Sequence, residues 1–300
     1  MASPQKNTPP AKPYVAPFSH TFIAGGIAGV CEILVMYPTD VVKTRAQLAV
    51  GNQKVGLISG LSDMIRKEGF TKMYRGIVPP ILVEAPKRAV KFAANATYQP
   101  FFTGKDGKLS QTGAIGAGVS AGCTEAFLVV PFELVKIRLQ DKANAGKYKN
   151  TMDAVTKIAQ SEGILGFYKG LESTIWRHGA WNGGYFGVIF TVKGMLPKAQ
   201  SEKGQTFNNF IAGAIAGTFG TMLNTPFDVV KSRIQNQAAG VQPKYNWTLP
   251  AIKTIAQEEG FAALYKGFVP KVVRLGPGGG ILLVVFEFVS KLLKDYSQGR

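Results

Sequence analysis

The chain has 300 residues, 46% of them hydrophobic, with a formal net charge of +17. Its mean hydropathy, +0.06, is shared by many soluble proteins, so composition alone excludes neither a soluble nor a membrane class. The 35 Lys and Arg residues are spread over every stretch between apolar segments, with no aromatic-interleaved RNA motif and no recognition-helix pattern. That distribution argues against nucleic acid and for anionic lipid head groups as the partner of the charge.

Residues 1–17 carry five prolines and neither an apolar signal core nor an Arg-rich amphipathic helix. They read as a disordered tail. Residues 21–39 then hold Glu32 as their only charge, 111–131 only Glu125, and 206–227 none. Helices of this length can cross a hydrocarbon core of about 30 Å, which needs roughly 20 residues. Cys31 and Cys123 lie in the first two stretches, form no CxxC pair, and read as small packing residues.

Each apolar stretch belongs to one copy of a repeat. PTDVVKTRAQ from Pro38, PFELVKIRLQ from Pro131 and PFDVVKSRIQ from Pro226 align without gaps. Thirteen residues before each proline stands a glycine (Gly25, Gly118, Gly213) within the frame AGxxAG. Small residues four apart let one helix approach another closely. The proline should kink its helix. After it, Asp40, Lys43 and Gln47 share one helical face, as do Glu133, Lys136 and Gln140, and Asp228, Lys231 and Gln235.

Downstream, an amphipathic stretch such as VGLISGLSDMIRKEG suits a short interfacial helix. EGFTKMYRG, EGILGFYKG and EGFAALYKG follow, from Glu68, Glu162 and Glu259. Second crossings are expected over about 79–102, 173–195 and 270–293. Their polar residues, as in VEAPKRAVKF, belong toward a water-filled interior. The expected class is an all-α membrane protein of six transmembrane helices with short extra helices. Its parts are the 1–17 tail and repeats 18–105, 106–200 and 201–300, forming one transport domain.

Proline, acid, two bases and the acidic-Gly to aromatic-basic-Gly element, three times over, resemble the mitochondrial carrier family across about residues 18–295. The resemblance implies a multi-pass, threefold pseudosymmetric barrel of the mitochondrial inner membrane, working as a monomer by alternating access. It implies a matrix gate of ion pairs Lys43–Glu133, Lys136–Asp228 and Lys231–Asp40, braced by Gln47, Gln140 and Gln235. At the family's cytoplasmic gate positions, only Lys193 and Glu287 are charged, which leaves one ion pair at most. Gly76, Gly170 and Gly267, beside Arg75, Lys169 and Lys266, resemble the family's cardiolipin sites, where helix N-terminal amides meet phosphate.

The family's central contact points fall on Val83-Glu84, Arg177-His178 and Arg274-Leu275, with Lys87, Arg88, Asn182 and Lys271 nearby. Arginines on different helices suit a solute with a carboxylate at each end. His178 could bond a keto oxygen or carry a proton. The Arg-His pair, with WRHGAWNGGYFG and RLGPGGG, resembles members that exchange the 2-oxodicarboxylates 2-oxoadipate and 2-oxoglutarate. A carrier for citrate or a simple dicarboxylate, or a transport-inactive binding protein, stays open. Glu32 and Glu125 could balance charge, couple protons or bind nothing. No enzyme is expected, and no metal or cofactor: there is no ligand cluster, nucleophile elbow or Walker loop, and only two histidines. GPGGG, inside a crossing, reads as close helix packing rather than a phosphate loop.

Overall fold

A computed structural model describes residues 17–51, 56–104, 107, 109–197, 201–237 and 243–297. The expected tail lies almost wholly outside them. Among the described residues there are nine α-helices and no strand. Six are long: α1 (Phe18–Leu48), α3 (Val78–Phe102), α4 (Gln111–Gln140), α6 (Leu171–Met195), α7 (Glu202–Asn236) and α9 (Phe268–Ser297). Three are short: α2 (Leu57–Glu68), α5 (Thr151–Glu162) and α8 (Thr248–Glu259).

Local chemistry sets the ends. Ser110, Asn150 and Ser201 cap α4, α5 and α7 by accepting a bond from the amide three residues on. Gly69, Gly163 and Gly260 end the short helices at φ of +86°, +68° and +84°, a region closed to most side chains. Helices α1, α4 and α7 run through Pro38, Pro131 and Pro226 without a break.

Each long helix packs on its neighbours in the chain, and α9 returns to α1, so the six close into a barrel. Val35, Leu82, Phe127, Val284 and Phe288 are exposed on it, as a lipid-facing wall requires. Three of the long segments, Ser19–Leu48, Gln111–Gln140 and Phe261–Ser297, are apolar enough by composition to cross a membrane. Charged residues turn inward from both kinds of helix, as Lys87 of α3, Arg177 of α6 and Arg274 of α9 show.

The repeat is also a packing unit. Tyr37, Val41 and Val42 of α1 bury against Met64 of α2 and Met73 of the following 3-10 turn. Leu134, Val135 and Leu139 meet Ala154 and Ile158 in the second copy. Val230 and Ile234 meet Ile255 and Leu264 in the third. Truncating a buried residue such as Ile255 to Ala costs about 2–5 kcal/mol. Each copy thus holds its short helix against the C-terminal half of its own odd helix. Cys31 and Cys123 are half-buried free thiols, less enclosed than the packing role expected of them.

Candidate functional site

The proline motifs converge where α1, α4 and α7 end. Their six charges form three ion pairs: Lys43–Asp228 at 2.7 Å, Lys136–Asp40 at 3.0 Å and Lys231–Glu133 at 2.5 Å. This corrects the order expected from sequence, Lys43–Glu133, Lys136–Asp228 and Lys231–Asp40, because every pair runs to the other neighbour. An acid and the base three residues on lie about 60° apart on one face of a helix, so each leans toward a different neighbour. Which neighbour each meets depends on the hand in which the repeats circle the barrel, and spacing within one repeat does not contain that.

The glutamines behave unequally. Gln47 donates to Asp228 at 3.0 Å and accepts from the Ser232 hydroxyl at 2.9 Å. Gln140 and Gln235 are as deeply buried, yet among the described residues neither amide bonds a ring acid or a hydroxyl of the neighbouring motif. The cause lies one repeat away. Ser232 is matched by Thr44, whose hydroxyl is spent on the Asp40 carbonyl, and by Ile137, which has none. The full bracing expected from sequence is therefore reduced to one member in this conformation.

Beneath the ring, a second layer escaped the sequence reading. Arg45, Arg138 and Arg233, the last bases of the motifs, each donate through Nε to the backbone carbonyl of a neighbouring repeat's glutamine, at 3.2, 2.9 and 3.1 Å. The same arginines pair with Glu68, Glu162 and Glu259 at the ends of the short helices. The available signal was recurrence: both the second base and the acid before glycine appear in all three copies. Burial is the largest influence on Glu259 and opposes its charge, but Arg233, the Gly51 amide and Lys266 together outweigh it and hold the carboxyl near 2. The bond from Arg45 is the largest influence on Glu68 and lowers its pKa. For Glu162, burial is again overcome, by Arg138 and Lys169.

Above the ring lies a cavity of about 280 Å³. Glu84, Lys87, Arg177, His178 and Arg274 line it, together with Glu32 and Glu125. Arg274 on α9 reaches α1, with Nη2 2.6 Å from Glu32 and Nη1 bonded to Asp40 of the ring. Lys271, one turn earlier, pairs with Asp228 at 3.2 Å and donates to Asn224. Arg177 stands looser, 3.8 Å from Glu133 and 4.0 Å from Asp228. Its Nε is buried without a hydrogen-bond partner among the described residues. His178 Nε2 lies 3.1 Å from Arg177 Nη2, so the ring is set to accept from the guanidinium and orient it. Its Cβ packs where Gly122 leaves room.

Two of the expected contacts turn elsewhere. Arg88, about 100° around α3 from Lys87, faces α1, where Gly25 and Gly29 make space for it. There it bonds Glu84 at 2.8 Å, and Glu84 also pairs with Lys87. Asn182 donates to the His178 and Gly118 carbonyls at 2.9 and 3.4 Å, tying α6 to α4 outside the cavity lining. Trp181 stacks on Tyr185 at 4.9 Å.

At the far ends of α6 and α9, Lys193 and Glu287 are exposed and make no ion pair with each other. Gly76, Gly170 and Gly267 adopt φ of +80°, +79° and +83° and press on Leu139, Gln235 and Gln47 of the neighbouring odd helices. Turn geometry and close approach account for them. The bases before them are engaged within the protein: Arg75 with the Ala145 and Tyr148 carbonyls, Lys169 with Glu162, and Lys266 with Glu259 and the Ala49 and Gly51 carbonyls.

The repeat applied to the cavity exposes where symmetry breaks. Glu32 and Arg274 form the pair of one copy. The equivalent positions are Glu125 with Val83, and Gly220 with Arg177. One acid and one base are thereby left without their symmetry partner.

Residues 14–106, 107–200 and 202–297 each match the mitochondrial carrier protein family. A relative in Dictyostelium discoideum, a probable mitochondrial 2-oxodicarboxylate carrier, is 65% identical over 95% of this chain and 94% of its own length. The mitochondrial citrate transporter D of Aspergillus niger is 58% identical over 93% and 95%. The human mitochondrial 2-oxodicarboxylate carrier is 40% identical over 92% and 95%. A triplicated barrel, a ring of interlocked charges at one end and a polar cavity above it agree with these matches, and the chain belongs to the mitochondrial carrier family, as a multi-pass transporter of the mitochondrial inner membrane.

Proposed function

We propose that this carrier exchanges 2-oxodicarboxylates, 2-oxoadipate and 2-oxoglutarate, by alternating access to the central cavity. The observation that carries the reading is Arg177, which faces the cavity with its guanidinium incompletely satisfied. A buried donor without a partner costs roughly 1–3 kcal/mol, and a bound carboxylate removes that cost. The relatives named as 2-oxodicarboxylate carriers support the substrate class.

The ion pairs suggest how binding moves the gate. Arg274 now holds Glu32 and Asp40, and Arg177 lies near Glu133 and Asp228. A solute with a carboxylate at each end competes for both arginines and draws them from the ring acids. The ring then loses support at the moment the site is filled, so an empty site stays closed toward the matrix. A ligand shifts such an equilibrium only by its differential affinity for the two states. His178, 3.1 Å from the Arg177 guanidinium, orients it and offers a polar group near the keto oxygen.

Lys193 and Glu287 would meet only when the opposite end closes, a single pair in a sparse cytoplasmic gate. Cardiolipin at the helix starts after Gly76, Gly170 and Gly267 would staple neighbouring repeats of a monomeric carrier. The Aspergillus niger relative gives a second reading, citrate, some substance.

Arg177→Ala tests the site. Uptake of 2-oxoglutarate by reconstituted vesicles is expected to disappear while the purified protein keeps its cooperative thermal unfolding. Unchanged uptake would remove Arg177 from the site.

A further inference from the structure

We propose that Glu125 is a proton site that fits the cavity's charge to its anion, ionised beside a dicarboxylate and protonated beside a tricarboxylate. The inference rests on the reading of this chain as a carboxylate exchanger and adds a coupled proton to it.

Glu125 is 8% exposed, lines the cavity, and has neither a hydrogen bond nor an ion pair among the described residues. Symmetry explains its isolation. Its counterpart Glu32 is held at 2.6 Å by Arg274, but Val83, buried and apolar, stands where Glu125 would find the equivalent arginine. The charges that bear on it are Lys87 and Lys91 from α3, Arg177 from α6 and Glu133 from its own helix. Lys87 is already paired with Glu84, Lys91 is exposed, and Arg177 leans toward the ring acids. None is committed to Glu125.

The charge of the surroundings gives this isolation a use. The ion-paired network of ring and cavity joins eight basic side chains to five carboxylates, a surplus of three positive charges. Ionising Glu125 lowers that surplus by one, and the difference in charge between a tricarboxylate and a dicarboxylate is also one. Uncompensated charge in a cavity closed in by protein is costly, so anion and proton occupancy are linked, and the linkage is reciprocal. The proton is taken from water on the side where the tricarboxylate enters and returned to water where it leaves. Only the O–H bond of Glu125 forms and breaks. A tricarboxylate plus one proton exchanging for a dicarboxylate then moves no net charge.

The test uses vesicles containing the full-length carrier, loaded with 2-oxoglutarate and a trapped pH dye. Potassium and valinomycin clamp the potential, and citrate is added outside. The wild type is expected to acidify the lumen by about one proton per citrate taken up, whereas exchange of 2-oxoglutarate for itself does not. In Glu125→Gln, a permanently neutral stand-in for the protonated acid, whatever citrate exchange remains is expected to carry no proton, so the acidification per citrate taken up falls from about one to zero. Should that variant exchange nothing, Val83→Lys supplies the missing partner and is expected to lose the acidification in its place. Citrate exchange without acidification in the wild type would overturn the proposal. So would acidification that persists in either variant, or 2-oxoglutarate exchange with no citrate exchange at all. Absence of 2-oxoglutarate exchange in the wild type would instead overturn the underlying functional reading.

Discussion

Arg274 and Asp40 are joined across α9 and α1 by one arm of a guanidinium whose other arm is held by Glu32 at 2.6 Å. One side chain thus touches both the ring that closes the barrel and the cavity above it. Arg274→Ala is expected to lower 2-oxoglutarate exchange at least 100-fold and to lower the melting temperature, because Asp40 loses a partner while buried. Arg274→Lys keeps the charge but loses the guanidinium's fixed fork, which holds Glu32 on one arm and Asp40 on the other, and is expected to retain only about a tenth of the rate. Vesicle exchange assays read both. A lysine variant at wild-type rate would show that the bridge is not needed.

The pairing order of the ring is open to a double-mutant cycle. Asp40→Asn with Lys136→Gln is expected to show a coupling of about 1 kcal/mol or more in thermal unfolding, as residues in direct contact do. Asp40→Asn with Lys231→Gln is expected to be additive. The reverse outcome would restore the order read from the sequence.

The braces differ in a way that substitutions can exchange. Ser232→Ala removes one of the two partners of Gln47 and is expected to destabilise by about 1 kcal/mol. Ile137→Ser offers Gln235 the hydroxyl that its counterpart already enjoys. It is expected to slow exchange by stabilising the closed ring, measured as a lower turnover with the melting temperature no worse than that of Ile137→Ala.

Most of this fold was legible because its determinants are local and triplicated. The proline motifs, the glycine frames and the acidic-Gly elements mark the odd helices and the short helices that pack on them. The second crossings were legible from where Lys87, Arg177 and Arg274 fall, since charges so placed face inward. What was not legible depends on relations between repeats. The direction of the ring pairs needs the hand of the barrel. The turning of Arg88 toward Gly29 and of Asn182 toward Gly118 needs the rotation of each helix about its axis. The isolation of Glu125 follows from Val83 on another helix. That pairing could have been found by applying the repeat spacing across helices as well as along them.

The outer layer of acids predicts a response to pH. Glu259 falls from its ordinary 4.5 to about 2 in the folded chain, and Glu68 and Glu162 are lowered too. A depressed folded value means that the stabilisation is complete above the unfolded value and is lost as pH falls toward the folded one. The melting temperature is therefore expected to be level with respect to these groups above about pH 5 and to drop between about 4.5 and 2. Glu259→Gln, which leaves Arg233 buried without its partner, is expected to cost about 3 kcal/mol and to flatten part of that drop. A melting temperature unchanged across this window would contradict the assignment.

The cavity is proposed to recognise a 2-oxo acid with a carboxylate at each end. The most direct measurement of that recognition is the initial rate at which external anions exchange with labelled 2-oxoglutarate inside vesicles containing the purified carrier. The expected result is fast exchange with external 2-oxoadipate and 2-oxoglutarate, slower exchange with malate, and none with ADP. If malate or ADP drives exchange while 2-oxoadipate does not, the proposal is wrong.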